Sequence, residues 1–582
     1  MSKLNIDQQT VLKLFSDKRS DFLIPDYQRP YAWTEDQLIT LWEDVLAFAI
    51  PQGDADAFDS DDEYFLGPIV TFRNSERKLE IIDGQQRLTT LMLLLRAFYA
   101  KFENQKDKES RLTLAKIAEC LWKTNEFGEA DRDHLKIDSE VASDDDKEEF
   151  LYILKTGQVL SDQKSKYATT FRLFKDRIEK FTLECPSYIA KLAIRVLNNL
   201  ILLPIEAESQ GTALRIFSTL NDRGLPLSDA DIFKSQFYKY FSDQGLKVEF
   251  VQRWRKLEET SKQVFASSRA NPVDELFTRY MYYERACRGI RDTTTQGLRD
   301  FFEANNYELL KREETLDNLE SLLEFWLQVS NQDDSVFSPE VLRRLFVLYY
   351  APNSMWTFFV SVYFLHNRDV EGKLDQGKFE QFLTLITGFI WAYAIDRPGV
   401  NALRSPIYPE MVRLVNNEPV TFENYKFTRQ HIKEIFTSYR FTNGRPITKS
   451  MLIWWAFQNA DQQILELDTK LEIEHIYAKK RAEHEAALSD NVLLEALGNK
   501  AFLEKRINIR ASDYRFVDKK KYYRGDDALS AQRREGTKNV ELVVLAENTS
   551  SDFDEGDIKD RTTRMIDSFI SYLDDAGLIQ TE

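Results

Sequence analysis

The stretch Ile81-Ile-Asp-Gly-Gln-Gln-Arg-Leu-Thr-Thr-Leu91 constrains the front of the chain more than any other. An apolar strand end, Leu79 to Ile82, turns at Asp83-Gly84, and an apolar run from Leu88 to Phe98 follows with helical spacing. A strand, a glycine turn and a helix N-terminus leave orphan backbone N–H groups and the positive end of the helix dipole facing one point. Such a point attracts an anion. Arg87 adds a guanidinium able to grip phosphate in two places, and Gln85 and Gln86 add amides. The same residues suit a tight turn with a solvated polar tip, and the stretch alone leaves both readings open.

The length of 582 residues suggests about three to four domains. Apolar content of 43% with 30% charged residues describes a soluble globular protein. No apolar run reaches the roughly 18 residues that span a bilayer, and the first residues lack a charged-then-apolar leader pattern. Cys120, Cys185 and Cys287 are far apart and form no paired motif, which argues for a reducing cytoplasm and against a disulfide scaffold or thiolate zinc site. A net charge of −17 discourages non-specific adhesion to nucleic acid but leaves room for a local basic groove. Much of the acid is concentrated, with six acids in Asp54 to Glu63 and seven in Asp138 to Glu149, both expected as solvated loops.

Taken in order, residues 5–18 read as a short amphipathic helix, and Phe22 to Trp33 as a strand entering a loop bracketed by Pro25 and Pro30. That loop fixes Tyr27, Gln28 and Arg29. Thr34, Asp36 and Gln37 form an N-cap signature for a helix through Phe48. Tyr64 to Phe72 and Leu79 to Asp83 are expected strands around the turn Asn74 to Arg77, and Val196 to Ile205 a further strand. Asn221, Arg223, Asp231 and Lys234 gather around a turn between two expected helices, the second starting at Ser228 or Asp229. Residues 235–465 are a helical tract heavy in Phe, Tyr and Trp without a fixed repeat, and bundle packing explains those aromatics better than ligand stacking.

Composition changes near 470. Leu471 to Tyr477 alternates like a strand and sets Glu474 beside His475. Phosphodiester hydrolysis needs a base to deprotonate water and charge stabilisation at the leaving oxygen, commonly from a divalent metal. Neighbouring side chains on a strand point to opposite faces, so Glu474 could reach a metal while His475 faces substrate, with Asn508 supplying an amide oxygen. A buried, hydrogen-bonded histidine beside a surface glutamate fits the spacing equally well. Between Gly498 and Arg524 there are nine Lys/Arg against three Asp/Glu, interleaved with Tyr514, Phe516, Tyr522 and Tyr523. Lys505, Arg506, Arg510, Lys519 and Lys520 are the candidate DNA contacts; the tract reads as a phosphodiester footprint or as a solvated helix face. Val540 to Ala546 is expected as a strand, and 557–574 as an amphipathic helix.

The phrases IPDYQRPYAW, YFLGPIV, IIDGQQRLTTL and FSTLNDRGLPLSDADIFK, in this order, resemble the GmrS-type N-terminal domain; IEHI followed by LGNKAFLEKRIN resembles the GmrD-type HNH domain. Together they are similar to single-chain GmrSD-family type IV restriction endonucleases. The resemblance implies an α+β, predominantly helical protein. It comprises a ParB/sulfiredoxin-like nucleotide-binding domain over 1–240, a helical middle over 241–465 and a ββα-metal HNH nuclease domain over 466–582. It implies binding and hydrolysis of an NTP, GTP or another, at Asp83, Gln85, Gln86 and Arg87 and at Tyr27, Gln28 and Arg29. It further implies His475 as general base, Asn499 as the structural asparagine of the catalytic motif, and Glu474 and Asn508 on the side of a Mg²⁺ or Mn²⁺ ion, with Asn508 also counted among the catalytic residues. This chain departs from the family pattern at Tyr477-Ala478, where a proline usually follows the histidine, and at Lys500, where Gly-Asn is usually followed by leucine. The expected activity is NTP-regulated, metal-dependent cleavage of modified or phage DNA in antiviral defence. Expected partners are DNA and nucleotide, with a homodimer as a further expectation and no membrane. The alternative is a nucleotide-switched DNA-binding protein whose HNH-like end no longer cuts.

Overall fold

A computed structural model describes residues 7–127, 129–141, 146–159, 165–209, 212–213, 216, 228–266, 271–399, 401–485, 488–526, 534–548 and 552–580. The chain divides into two compact units, Met1–Arg255 and Lys256–Glu582, and is mostly helical with small sheets, the α+β class expected.

In the first unit, β1 (Gln9–Thr10), β2 (Phe22–Ile24), β3 (Tyr64–Arg73), β4 (Leu79–Asp83), β7 (Ile137–Ser139) and β8 (Leu200–Ala207) form one mixed sheet in the order β1-β8-β3-β4-β2-β7. Between them in sequence, β5 (Trp122–Thr124) and β6 (Ala130–Leu135) make a separate two-stranded ribbon. Strands β3 and β4 are antiparallel around a turn in which the Asn74 side chain accepts from the backbone N–H of Glu76 and Lys78 at 3.0 Å each. Strand β8 returns parallel to β3 along its length. Period-two alternation gives the sheet two apolar faces. Ile69, Leu79, Ile81, Leu200 and Leu202 join the main core with the helices Val11–Ser16, Gln85–Phe102, Lys166–Glu184 and Ile189–Asn199. Val70, Phe72, Ile82, Ile205 and Ala207 face a smaller cluster with Tyr27 and Tyr238.

Several expectations need correction here. The first helix is Val11–Ser16 rather than 5–18, because Gln9–Thr10 pair with Leu202 and Ile201 as an edge strand. Residues 196–199 close a helix and the strand begins at Leu200. The second acidic stretch is not simply a solvated loop. It contains β7 and the start of the Lys147–Thr156 helix, and Glu149 is buried against the Ser165 hydroxyl.

In the second unit the helical tract follows the expected segments, among them Pro272–Cys287, Glu313–Ser330, Pro339–Tyr349, Met355–Asn367 and Gln376–Asp396. Its aromatics pack on one another, as in the stacked Phe325–Phe364 and Phe389–Phe422 pairs, so they form core. Strands β9 (Leu471–His475) and β10 (Lys500–Glu504) form an antiparallel pair, followed by the helices Lys505–Ala511 and Phe516–Arg524. Val540–Asn548 is a helix, not a strand. Leu542 and Ala546, one turn apart, are buried, and Glu541 binds Arg561 of the Glu555–Asp575 helix, so tertiary contacts override the β-branched local preference. Among the described residues no helix is long and apolar enough to cross a membrane.

Gly84 opens the Gln85–Phe102 helix with φ +93°, and a side chain there would press on Ile69 at 3.1 Å. Gly84→Ala is therefore expected to lower stability by ~1–2 kcal/mol, the cost of a left-handed L-residue, read as a lower midpoint in urea denaturation.

Candidate functional site

Two constellations stand out, one in each unit. At the Gln85–Phe102 helix start, most of the expected ligand-facing amides bind the protein's own backbone instead. Gln28 is buried and donates to the carbonyls of Ile81 at 3.2 Å and Ile82 at 3.0 Å. Gln85 donates to Arg29 O at 3.3 Å. Gln86 accepts from Ala32 N at 2.6 Å and donates to Pro30 O at 3.2 Å. Tyr27 is buried against Tyr238, and its hydroxyl donates to Glu80 at 2.7 Å. These four side chains, expected at a nucleotide, lash the proline-bracketed loop to β4 and the helix.

What remains for an anion is narrower. The N-cap Gly84 has no side chain with which to cap the helix, and its N–H is taken by the Asp83 carboxylate, so the pull on negative charge comes from the N–H groups of the first turn. Arg87 is half-buried, donates Nη1 to Pro68 O at 2.6 Å and lies within electrostatic reach of Asp83. Burial draws its pKa down and Asp83 raises it; a guanidinium stays charged at neutral pH. Burial raises the pKa of Asp83, against the opposing pull of Arg87, the Gly84 N–H and Arg29. Arg29 is exposed. The turn at Asn221 and Arg223 lies outside the described residues. Asp231 accepts from Ser228, the N-cap of the Asp229–Asp243 helix, and Lys234 is buried.

In the second unit, β9 ends by sending Glu474 and His475 to opposite faces. Glu474 is buried, and its Oε1 receives both Lys519 Nζ and Tyr523 Oη at 2.7 Å. Burial raises its pKa, and Lys519 works against that rise. Lys519 also donates to His475 O at 2.6 Å, so it pins the strand end from inside and does not lie on a DNA-facing surface, as was expected of it.

His475 is half-buried, with Nε2 at 3.4 Å from Glu495 Oε1. Its pKa is pushed down to about 4, first by burial, then by the Lys500 charge, with Glu495 opposing. Lys500, paired directly across from His475, is wholly buried and donates to Glu495 Oε2 and Asn443 Oδ1 at 2.6 Å each. Asn499, expected as the structural asparagine of the catalytic motif, is buried. It accepts from Tyr477 N at 2.7 Å and donates to Tyr477 O at 3.2 Å and Leu494 O at 3.1 Å, tying together the chain after β9 and before β10.

Glu495 and Asn443 were missed from the sequence. The signal was available in Lys500, because a lysine at an interior strand position demands a nearby counter-charge.

The residues expected to hold a divalent metal do not fit one as placed. Glu474 Oε1 already receives an ammonium and a phenol, and Asn508 donates its amide to Glu472 at 2.8 Å. Among the described residues no three His, Cys, Asp or Glu side chains gather as a metal set. Of the expected DNA contacts, Lys505 and Arg506 are exposed, Lys505 lying 3.6 Å from Glu472. Arg510 is half-buried and donates to Glu535 O at 3.0 Å, and Lys520 is half-buried over the Phe516 ring. Phe516, Tyr522 and Tyr523 belong to the core, leaving Tyr514 as the exposed aromatic of the tract. A cavity of about 570 Å³ in the helical tract, lined in part by Phe265, Arg279 and Trp326, contains none of the expected site residues.

Comparison with protein families matches residues 11–238 to the N-terminal domain of the GmrSD restriction endonucleases and 423–568 to their C-terminal domain. A search of curated proteins finds no match. The two matched segments hold the two constellations just described.

Gly498 touches the Glu555–Asp575 helix so closely that an added methyl would collide with the Ile558 carbonyl and Thr562. Gly498→Ala is expected to lower stability by ~1–3 kcal/mol, the range for overpacking, measured by thermal or urea unfolding.

Proposed function

Because the chain belongs to the GmrSD family of type IV restriction endonucleases, we propose that it is an HNH-type nuclease cutting modified or phage DNA in antiviral defence. Its general base is His475, and its state is set by a nucleoside triphosphate, GTP or another, at Arg87, Asp83 and Arg29. The observation that carries the cutting site is the imidazole of His475, half-buried and backed by Glu495 at the end of β9. With its pKa near 4 the ring is neutral at physiological pH and able to take a proton from a water attacking phosphorus. Lys505 and Arg506 supply exposed positive charge on the helix that follows β10, suited to a phosphodiester backbone. In the first unit, the glycine-headed helix start and the Arg87 guanidinium support a phosphate site. Nucleotide can bias cutting only if it binds the cutting and resting states with different affinity.

The second reading is a nucleotide-switched DNA-binding protein without catalysis. The observation favouring it is the closure of Glu474 by Lys519 and Tyr523, which withdraws a carboxylate from the expected metal side.

His475→Ala is expected to abolish cleavage of modified or phage DNA, assayed with Mg²⁺, with Mn²⁺ and with EDTA, while phosphate release from NTP continues at the wild-type rate. A wild-type protein that binds DNA but never nicks it under any of these conditions would favour the second reading. Arg87→Ala is expected to weaken nucleotide binding by about tenfold or more, the loss of one charged hydrogen bond, as read by calorimetric titration.

The pH profile follows from the sign of the histidine shift. The base form of His475 persists above about 4, so the single-turnover cutting rate stays level from neutrality down to about pH 5. It then declines as pH approaches the depressed pKa. A decline centred near 6.5, the ordinary value, would mean a solvated ring.

A further inference from the structure

We infer that Glu495 and Lys500 are positioning residues for His475: the carboxylate fixes which ring nitrogen carries the proton, and the buried ammonium fixes the carboxylate. The inference rests on His475 being the base.

Three observations carry it. First, the register of β9 and β10 sets Lys500 directly opposite His475. Second, the Lys500 ammonium is wholly buried yet engaged twice, 2.6 Å from Glu495 Oε2 and 2.6 Å from Asn443 Oδ1. Third, Glu495 is held on two sides, its Oε2 by Lys500 and its main-chain carbonyl by Phe441 N at 3.0 Å, so that Oε1 faces His475 Nε2 at 3.4 Å.

A wholly buried ammonium paired with a half-buried carboxylate is an inefficient way to stabilise a strand. Desolvation offsets most of the attraction, and a leucine of similar volume does as well or better. The position tolerates leucine on chemical grounds, since the neighbouring β10 positions Ala501, Phe502 and Leu503 are buried and apolar. The pair therefore calls for a role beyond packing, and its other end meets a histidine. A carboxylate against one ring nitrogen keeps the proton there and leaves the other nitrogen bare to accept, which is how second partners orient catalytic and metal-binding histidines. Here Nε2 faces Glu495, so Nδ1 becomes the accepting atom. Lys500 prevents the carboxylate from converting the imidazole into an imidazolium, because one positive charge already satisfies it. The charged groups around His475 are Glu495 and Lys500 on one side and Lys519, itself paired with Glu474, on the other.

The test uses the full-length protein with single-turnover cutting, DNA affinity and ¹⁵N-histidine NMR, in which five histidines give a tractable spectrum. Glu495→Ala is expected to slow cutting by about ten- to a hundredfold with DNA affinity unchanged, and to remove the Nε2–H signature of His475. Lys500→Leu leaves Glu495 facing the ring alone; it slows cutting and shifts the His475 nitrogens toward the doubly protonated form. The double variant Glu495→Gln with Lys500→Leu removes both charges and cuts faster than Lys500→Leu alone, a non-additivity that simple loss of packing does not produce. Asn443→Ala, at an exposed position, guards against unfolding and is expected to slow cutting several-fold. If all these variants cut at the wild-type rate while His475→Ala does not, the positioning role is overturned and the base assignment stands. If His475→Ala itself cuts normally, both fall. Slowed cutting with an unchanged Nε2–H signature and additive effects would also overturn it, leaving Glu495 and Lys500 as packing.

Discussion

The C-terminal site depends on one buried guanidinium. Arg561, almost without solvent exposure, donates to both oxygens of Glu541 at 2.8 Å and, through Nη1, to the carbonyls of Gly498 and Lys500 at 2.8 Å each. A two-stranded pair such as β9 and β10 has little stability of its own. Its geometry comes from what fastens its ends. Arg561 fastens the turn before β10, and Gly498 lets the Glu555–Asp575 helix approach closely enough to do so. From that turn Asn499 reaches back to Tyr477, and Lys500 falls into register with His475. Removing one partner of such a buried pair leaves an uncompensated charge, worth about 3–5 kcal/mol. The geometry around His475 is thus set from a helix some 60 residues further along the chain than the turn it holds.

The N-terminal unit solves a related problem with neutral amides. A loop bracketed by Pro25 and Pro30 cannot join a strand ladder along its length, and its carbonyls would otherwise be left without donors. Gln85 and Gln86 reach the carbonyls of Arg29 and Pro30, while Gln28 reaches those of Ile81 and Ile82. The density of polar residues in the motif thus reflects architecture first. The groups left for chemistry are the charged ones, Asp83, Arg87 and Arg29, together with the helix start.

Local patterns carried much of this. The Thr34–Gln37 capping box, the Asn74 turn, the glycine at the head of the Gln85–Phe102 helix and the alternation of β9 are all written in contiguous residues, and the structure has them. What failed depends on distant partners. Val540–Asn548 has β-branched residues that read as strand, yet Arg561 and a buried face at Leu542 and Ala546 make it helix. Lys519 looks like one more cation in a basic tract, and only the fold shows that it meets Glu474 forty-five residues earlier. The same holds for Phe516, Tyr522 and Tyr523, whose interleaving with charge suggested a phosphodiester footprint but whose rings fill the core. Charge counts along a sequence cannot separate exposed cations from those neutralised inside.

That separation bears directly on the chemistry at His475. Two lysine–glutamate pairs, Lys500–Glu495 with a half-buried carboxylate and the buried pair Lys519–Glu474, flank the histidine from the two faces of β9. Each pair sums to zero, so the immediate surroundings of the ring are close to neutral although they hold four formal charges. A polyanionic substrate raises the proton affinity of any base it approaches, which would convert an isolated histidine into an imidazolium when it is needed as an acceptor. On the proposed reading, positive charge for DNA lies with exposed residues such as Lys505 and Arg506, while burial first and the Lys500 charge second keep the imidazole uncharged. If His475 is the base, as proposed, the strand pair keeps two electrostatic tasks apart: attraction of the substrate at the surface, and a neutral imidazole within.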